Sequence, residues 1–383
     1  MINPEELARH YTRFRVTERI LLTGHSHQAW PDVAFEAQQQ AWLDAAEYVD
    51  DVWEKAFEKA NEVRRGFARL LEDSADNIAL APNTHELVTR FLSALPLKKR
   101  PKLITTDGEF HTIRRQLDRL SEEGIEVVKV VSGPAATLAE RLAQEVDDRT
   151  AAVLVSAVLY ANAHIVPNLS ATLAACKRHG AELLVDAYHA LNAVPFSLKK
   201  EGLERAYVVG GGYKYCQLGA GNAFLRFPGD TTLRPVVTGW FSEFTDLSKA
   251  PSGRVEYGPG AARFAGATYD FTSHYRAAAV FRFFQEHELT PTELRALSQR
   301  QIEALASALG IETEVALHET GGFLALHTRD TPRVHKALKE RDVWTDYRGD
   351  MLRFGPAPYV TEEQLDQAAN IIRGVIASPR RSP

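Results

Sequence analysis

The sequence predicts an α/β protein, with a mostly parallel sheet in a large domain and a smaller α/β domain at the C-terminal end. Three observations predict it. Short apolar runs alternate with amphipathic helical stretches between Lys102 and Val209, as expected for parallel strands covered by helices on both faces. Polar or glycine-rich residues follow these runs, and the carboxyl edge of a parallel sheet is where ligands bind. At 383 residues, the chain has room for one large domain and a smaller one. We expect an N-terminal segment, 1–44, packing with the small domain, a large domain over 45–270 and a small domain over 271–383.

Composition narrows the function. Hydrophobic residues at 45% and charged residues at 25% are ordinary globular values. A net charge of -5 with both signs interspersed gives no reason to expect nucleic acid or a membrane surface as partner. Two cysteines, Cys176 and Cys216, cannot make a disulfide framework or a cysteine-rich metal site. Met1–Arg15 is charged rather than apolar, and no run is apolar and long enough to span a bilayer. The expectation is a cytoplasmic protein acting on a small molecule, with no metal.

In chain order, residues 1–30 read as short and irregular, ending in Gly24-His25-Ser26-His27-Gln28. Two histidines two apart lack the further ligands a metal needs, so this turn reads as a substrate contact. Alanines and large apolar residues recur at helical spacing from Pro31 to Leu71. The strand Asn77–Leu80 precedes a helix over Leu87–Leu95, which Asn83 or Thr84 can cap. Such a helix start also suits an anion, because its unpaired N–H groups and dipole both favour negative charge. Strands follow at 102–105, 126–131, 151–157 and 182–185, with helices at 112–123, 137–145 and 170–178 between them. Residues 229–266 lose the alternation and read as long active-site loops. Helices resume at 273–287 and 290–308, then strands 323–327 and 351–354 flank a helix at 332–340, and Pro379–Pro383 reads as a disordered tail.

The chemistry gathers at the strand ends. Val208-Val209-Gly210-Gly211-Gly212-Tyr213-Lys214-Tyr215 places a lysine where glycines let the backbone approach a ligand closely. A lysine in a partly desolvated pocket loses its proton more easily and can form a Schiff base with a carbonyl. Asp186 ends the preceding strand. A pyridine cofactor needs a carboxylate at its ring nitrogen and a lysine to carry it. It also needs a phosphate site, for which Thr84 and His85 are candidates, and a planar group against its ring, for which Phe110 or His111 is available. Each residue also has a bland reading, Asp186 as a turn residue and His189 or Phe110 as core; their order along the strand ends favours the cofactor.

Asp186-Ala187-Tyr188-His189, Gly212-Tyr213-Lys214-Tyr215 and Gly239-Trp240-Phe241 together resemble the pyridoxal-phosphate-dependent class V aminotransferase superfamily of fold type I, and within it the kynureninases. The likeness runs from the Gly24 turn to Leu352-Arg353-Phe354-Gly355. The resemblance implies a homodimer with shared active sites and pyridoxal 5′-phosphate as cofactor. It implies Lys214 as the Schiff-base lysine and Tyr213 as an aid to proton transfer at the side-chain carbonyl. It implies Asp186 on the ring nitrogen, His189 beside the cofactor and Phe110 stacked on the ring. Asn162 would stand near the ring oxygen, and Thr84, His85, Tyr213 and Trp240 would hold the phosphate. Gly266, Ala267 and Thr268 would reach the partner subunit's cofactor. Arg353 would fork onto the substrate α-carboxylate, with His25, Ser26 and His27 on the other side of the substrate. The implied reaction is hydrolysis of the Cβ–Cγ bond of kynurenine or a related amino acid. Aminotransfer or β-elimination on the same scaffold and a non-catalytic homologue are the alternatives. The family's Phe-Pro-Ser/Thr-Asp segment is here Phe110-His111-Thr112-Ile113, so its supporting aspartate is missing.

Overall fold

A computed structural model of the chain describes residues 2–246, 253–313 and 315–377. The tail Pro379–Pro383 lies outside them. The strands are β1 (Ile20–Leu21), β2 (Ile78–Ala81), β3 (Lys102–Thr106), β4 (Glu126–Val130), β5 (Thr150–Ser156) and β6 (Glu182–Asp186). They continue with β7 (Tyr207–Gly211), β8 (Ala223–Arg226), β9 (Leu324–His327), β10 (Val343–Trp344), β11 (Asp346–Arg348) and β12 (Met351–Phe354).

Seven of them form one sheet in the order β2-β8-β7-β6-β5-β3-β4. Neighbours from β7 to β4 run parallel, while β8 is antiparallel to both β7 and β2. Strand β5 shows why its apolar run is unbroken. Val153 and Val155 pack in one hydrophobic core, while Ala152 and Leu154 pack in another. Side chains alternate faces along a strand, so a strand between two helical layers must be apolar on both. Helices Thr84–Ala94, His111–Glu122 and Leu169–His179 fall close to the expected spans. Asn83 caps the first of these, accepting from the Glu86 N–H at 3.0 Å.

Differences lie where the local pattern is short. The continuous helical reading of 31–71 resolves into helices Asp32–Tyr48 and Val52–Leu71, because Val49 between them has φ 50 and cannot continue a helix. The N-terminal stretch is not wholly irregular. Strand β1 pairs in parallel with β10, and Thr23 bridges Gly355. Two-residue strands carry no readable period, and their pairing brings the Gly24–Gln28 turn against the C-terminal part of the chain. There β9, β11 and β12 make a three-stranded antiparallel sheet in the order β11-β12-β9. In its ladder, Asp346 stands directly opposite Arg353.

Helix Thr272–Glu286 crosses Val52–Leu71 closely enough that a side chain on Gly66 would meet the Phe281 ring at 2.3 Å. Among the described residues of 229–266, only two short 3-10 helices form, Trp240–Asp246 and Gly260–Phe264.

Candidate active site

The carboxyl edge of the large sheet builds the site. Strand β3 leads to Glu109 and Phe110, β5 ends on Ser156, β6 ends on Asp186 and leads to Tyr188 and His189, and β7 leads to Tyr213 and Lys214. Apart from Glu109, which lies behind the wall, these side chains line one cavity of about 290 Å³, closed by His25 and Ser26 from the N-terminal turn and by Arg348 and Arg353 from the small sheet. Thr84, the first residue of helix Thr84–Ala94, completes the wall.

Lys214 lies on a tight loop. The Gly212 N–H donates to the Asn222 carbonyl at 2.8 Å, and the Leu218 N–H donates to the Gly212 carbonyl at 2.9 Å. Gly212 is required, because a Cβ there would stand 2.3 Å from a Leu218 methyl and 2.6 Å from its Cβ. Burial pushes the Lys214 amine down to about 7 despite the pull of Asp186, and Arg353 and Arg348 push the same way. Its Nζ lies 2.5 Å from His189 Nε2, 4.9 Å from the Tyr188 ring centre and 5.4 Å from that of Phe110.

Burial, together with Lys214, holds His189 well below its ordinary value, so the ring is neutral. If Nε2 accepts from Lys214, the proton is on Nδ1, a buried atom with no partner among the described residues. Burial raises the Asp186 carboxyl, opposed by the Tyr188 N–H, which donates to Oδ1 at 2.8 Å, and by Lys214. No protein donor among the described residues reaches its Oδ2.

Several site residues had no signal of their own in the sequence. Glu109 is fully enclosed. It accepts from Thr106 Oγ at 2.8 Å, from the Ser156 N–H at 3.1 Å and from Ser156 Oγ at 2.6 Å. Burial raises its carboxyl to about 7, outweighing these bonds. The family's aspartate is absent after Phe110, but a buried carboxylate stands immediately before it. Ser156, Val158, Tyr160, Tyr188 and Arg348 also line the cavity. Their strand-end positions were the one available clue.

Other expected residues fall elsewhere. His85 is exposed on its helix, with Nδ1 3.1 Å from Gln116. Asn162 shapes a turn, accepting from the His164 N–H at 3.1 Å. His27 stands edge-on to Tyr213 at 5.0 Å, behind the cavity wall. Trp240 packs on Phe241, 4.3 Å between ring centres, and is 43% exposed. Thr268 lines a different cavity of about 590 Å³, with Arg64, Glu86 and Arg90. Arg353 lines the cavity with its fork already engaged. It was expected to offer its fork to a substrate, but Nε and Nη2 already grip the two oxygens of Asp346 at 2.7 and 2.6 Å.

Residues 290–372 match the kynureninase C-terminal domain family. An uncharacterised aminotransferase of Bacillus subtilis (strain 168), YcbU, is 24% identical over 87% of this chain and 88% of its own length. Isopenicillin N epimerase of Streptomyces clavuligerus is 26% identical over 81% and 83%, and kynureninase of Geobacillus thermodenitrificans (strain NG80-2) is 23% identical over 77% and 72%. The chain is thus similar to kynureninase, to an epimerase and to an aminotransferase, each at 23–26% identity. Its fold is PLP fold type I. A solved structure of C-DES with glycine covalently linked to its PLP cofactor superposes with a TM-score of 0.83, covering 95% of this chain and 98% of that one at 18% identity. The cysteine desulfurase of Thermococcus onnurineus NA1 superposes with a TM-score of 0.83 at 16% identity, covering 98% of each chain.

The C-DES structure carries a PLP cofactor, and the pocket of this chain has groups that suit one. The cavity offers an easily deprotonated amine at Lys214 and a buried carboxylate at Asp186 with one oxygen unclaimed. It also offers the Phe110 ring, and at Thr84 a helix start whose N–H groups suit a phosphate.

Proposed function

We propose that this chain is a pyridoxal-phosphate-dependent hydrolase of kynureninase type, cleaving the Cβ–Cγ bond of kynurenine or a related amino acid. The observation that carries the reading is the Lys214 amine, buried, held near neutral pKa and sharing one closed cavity with Asp186. The bound cofactor supplies an electron sink for negative charge developing next to the substrate's amino group.

The chain's own residues do the rest. Lys214 would hold the cofactor's aldehyde and, once released, take the substrate's α-proton and return it, since its amine exchanges protons near neutrality. Asp186 would hold the proton on the ring nitrogen, and Phe110 would cover one ring face. His189, with Nε2 at the lysine, would orient the amine. Tyr213, on the cavity wall, would assist proton transfer at the side-chain carbonyl. Thr84 would receive the phosphate. Thr268, with Gly266 and Ala267, would serve the site of a second subunit in a homodimer.

Match to the kynureninase C-terminal domain supports the hydrolase, while the aminotransferase and C–S lyase relatives keep aminotransfer and β-elimination as the second reading. Desulfuration through a cysteine nucleophile is disfavoured. The chain's two cysteines are both buried, and burial pushes the Cys176 thiol up to about 12 and that of Cys216 higher. Kynurenine added to the coloured protein should release anthranilate and alanine in equal amounts. A coloured protein releasing neither contradicts the hydrolase and favours the second reading, whereas a colourless protein indicates a non-catalytic homologue.

A further inference from the structure

Glu109 stands behind the cavity wall, 2% exposed, and Ser156 lies between it and the cavity. The two oxygens of its carboxyl are used differently. Oε1 accepts from Thr106 Oγ at 2.8 Å and from the Ser156 N–H at 3.1 Å. Thr106 Oγ in turn accepts from the Gly108 N–H at 3.1 Å, which leaves its own proton for Oε1. Oε2 faces Ser156 Oγ alone, at 2.6 Å. An amide N–H cannot reverse its role, whereas a hydroxyl donates or accepts as its neighbour requires. The contact between Oε2 and Ser156 Oγ is therefore the reversible one.

Two arrangements follow. With Glu109 ionised, Ser156 donates to Oε2 and turns its lone pairs toward the cavity it lines. With Glu109 protonated, the proton belongs on Oε2, because Oε1 already meets two donors. Ser156 then accepts it, and its own hydroxyl proton swings toward the cavity. Ser156 is paired in register with Asp186 across β5 and β6, so the change falls beside the carboxylate that suits a ring nitrogen. The groups acting on Glu109 are Ser156 on β5, Thr106 on β3 and the charge of Asp186 on β6. Burial outweighs the hydrogen bonds and, with Asp186, raises the carboxyl to about 7, so both arrangements are populated near neutrality.

We propose that Glu109 is a positioning residue whose proton decides whether Ser156 turns a lone pair or its hydroxyl proton toward the bound cofactor beside Asp186. The inference rests on the reading of this cavity as a cofactor site. Glu109→Gln holds the protonated arrangement permanently, since its amide oxygen keeps the bonds from Thr106 and the Ser156 N–H while its amide NH2 donates to Ser156 Oγ.

The test is a pH titration of the coloured holoenzyme, followed by cofactor absorbance, in wild type, Glu109→Gln and Ser156→Ala. Wild type should show a step with its midpoint within about one unit of pH 7, and both variants should lose it. Glu109→Gln should keep at every pH the spectrum that wild type shows on the acid side. In cofactor-free wild type, infrared spectra should show the carbonyl stretch of a buried carboxylic acid at about pH 5.5 that is gone at about pH 8.5 and never present in Glu109→Gln. A holoenzyme with no step, a step unchanged in Glu109→Gln, a step retained by Ser156→Ala, or an infrared band that Glu109→Gln keeps overturns this inference and leaves the cofactor reading standing. Ser156→Ala decides by itself if Glu109→Gln does not fold. A wild-type protein that takes up no cofactor overturns the inference together with the reading beneath it.

Discussion

Burial sets the chemistry of the cavity at Lys214. Around Lys214, burial outweighs the attraction of Asp186, and the amine titrates near 7 instead of 10.5. Only the neutral amine attacks an aldehyde, and its fraction grows as pH rises through the pKa. Cofactor uptake by the cofactor-free protein should therefore accelerate up to about pH 7 and level off above it. Stopped-flow absorbance checks this, and a rate still climbing steeply at pH 9 contradicts it. The lysine itself was legible because three glycines and two tyrosines frame it. The engagement of Arg353 was not legible. An arginine in a strand looks the same whether its fork is open or filled, and only the antiparallel register sets Asp346 opposite it. Glu109 was hidden for a similar reason, since its partner Ser156 lies 47 positions away and on another strand.

At the level of elements, the parallel strands and their helices were readable because each is long enough to carry a period and sits between two cores. Of the elements around the mouth of the cavity, β12 was readable at 351–354, whereas the shorter strands were not. Strands β1, β10 and β11 are two or three residues long and exist through pairing. The loop carrying Lys214 depends on Gly212, whose missing side chain leaves room for Leu218. Gly212→Ala should cost about 1–3 kcal/mol through overpacking and lower the amount of cofactor retained after dialysis. Urea unfolding and the cofactor-to-protein ratio measure the two effects, and a variant as stable and as fully loaded as wild type would show that the loop has slack.

At the scale of the molecule, the cavity draws on three separated parts of the chain, the N-terminal turn, the edge of the large sheet and the small antiparallel sheet. Thr268 lines a different cavity within one chain, and in the proposed homodimer it would serve the site of the neighbouring subunit. Sedimentation should give about twice the mass of one chain, and Thr268→Ala should weaken cofactor binding about fivefold, the worth of one hydrogen bond. A monomer with full cofactor affinity would contradict that arrangement. Lys214 as the carrier of the cofactor can be checked by fixing the coloured protein with borohydride and locating the added mass in its peptides. That mass should fall on the peptide containing Lys214 and should be lost, with the colour, in Lys214→Ala. A modified lysine elsewhere, or colour retained by Lys214→Ala after gel filtration and fixed covalently at another site, would contradict it.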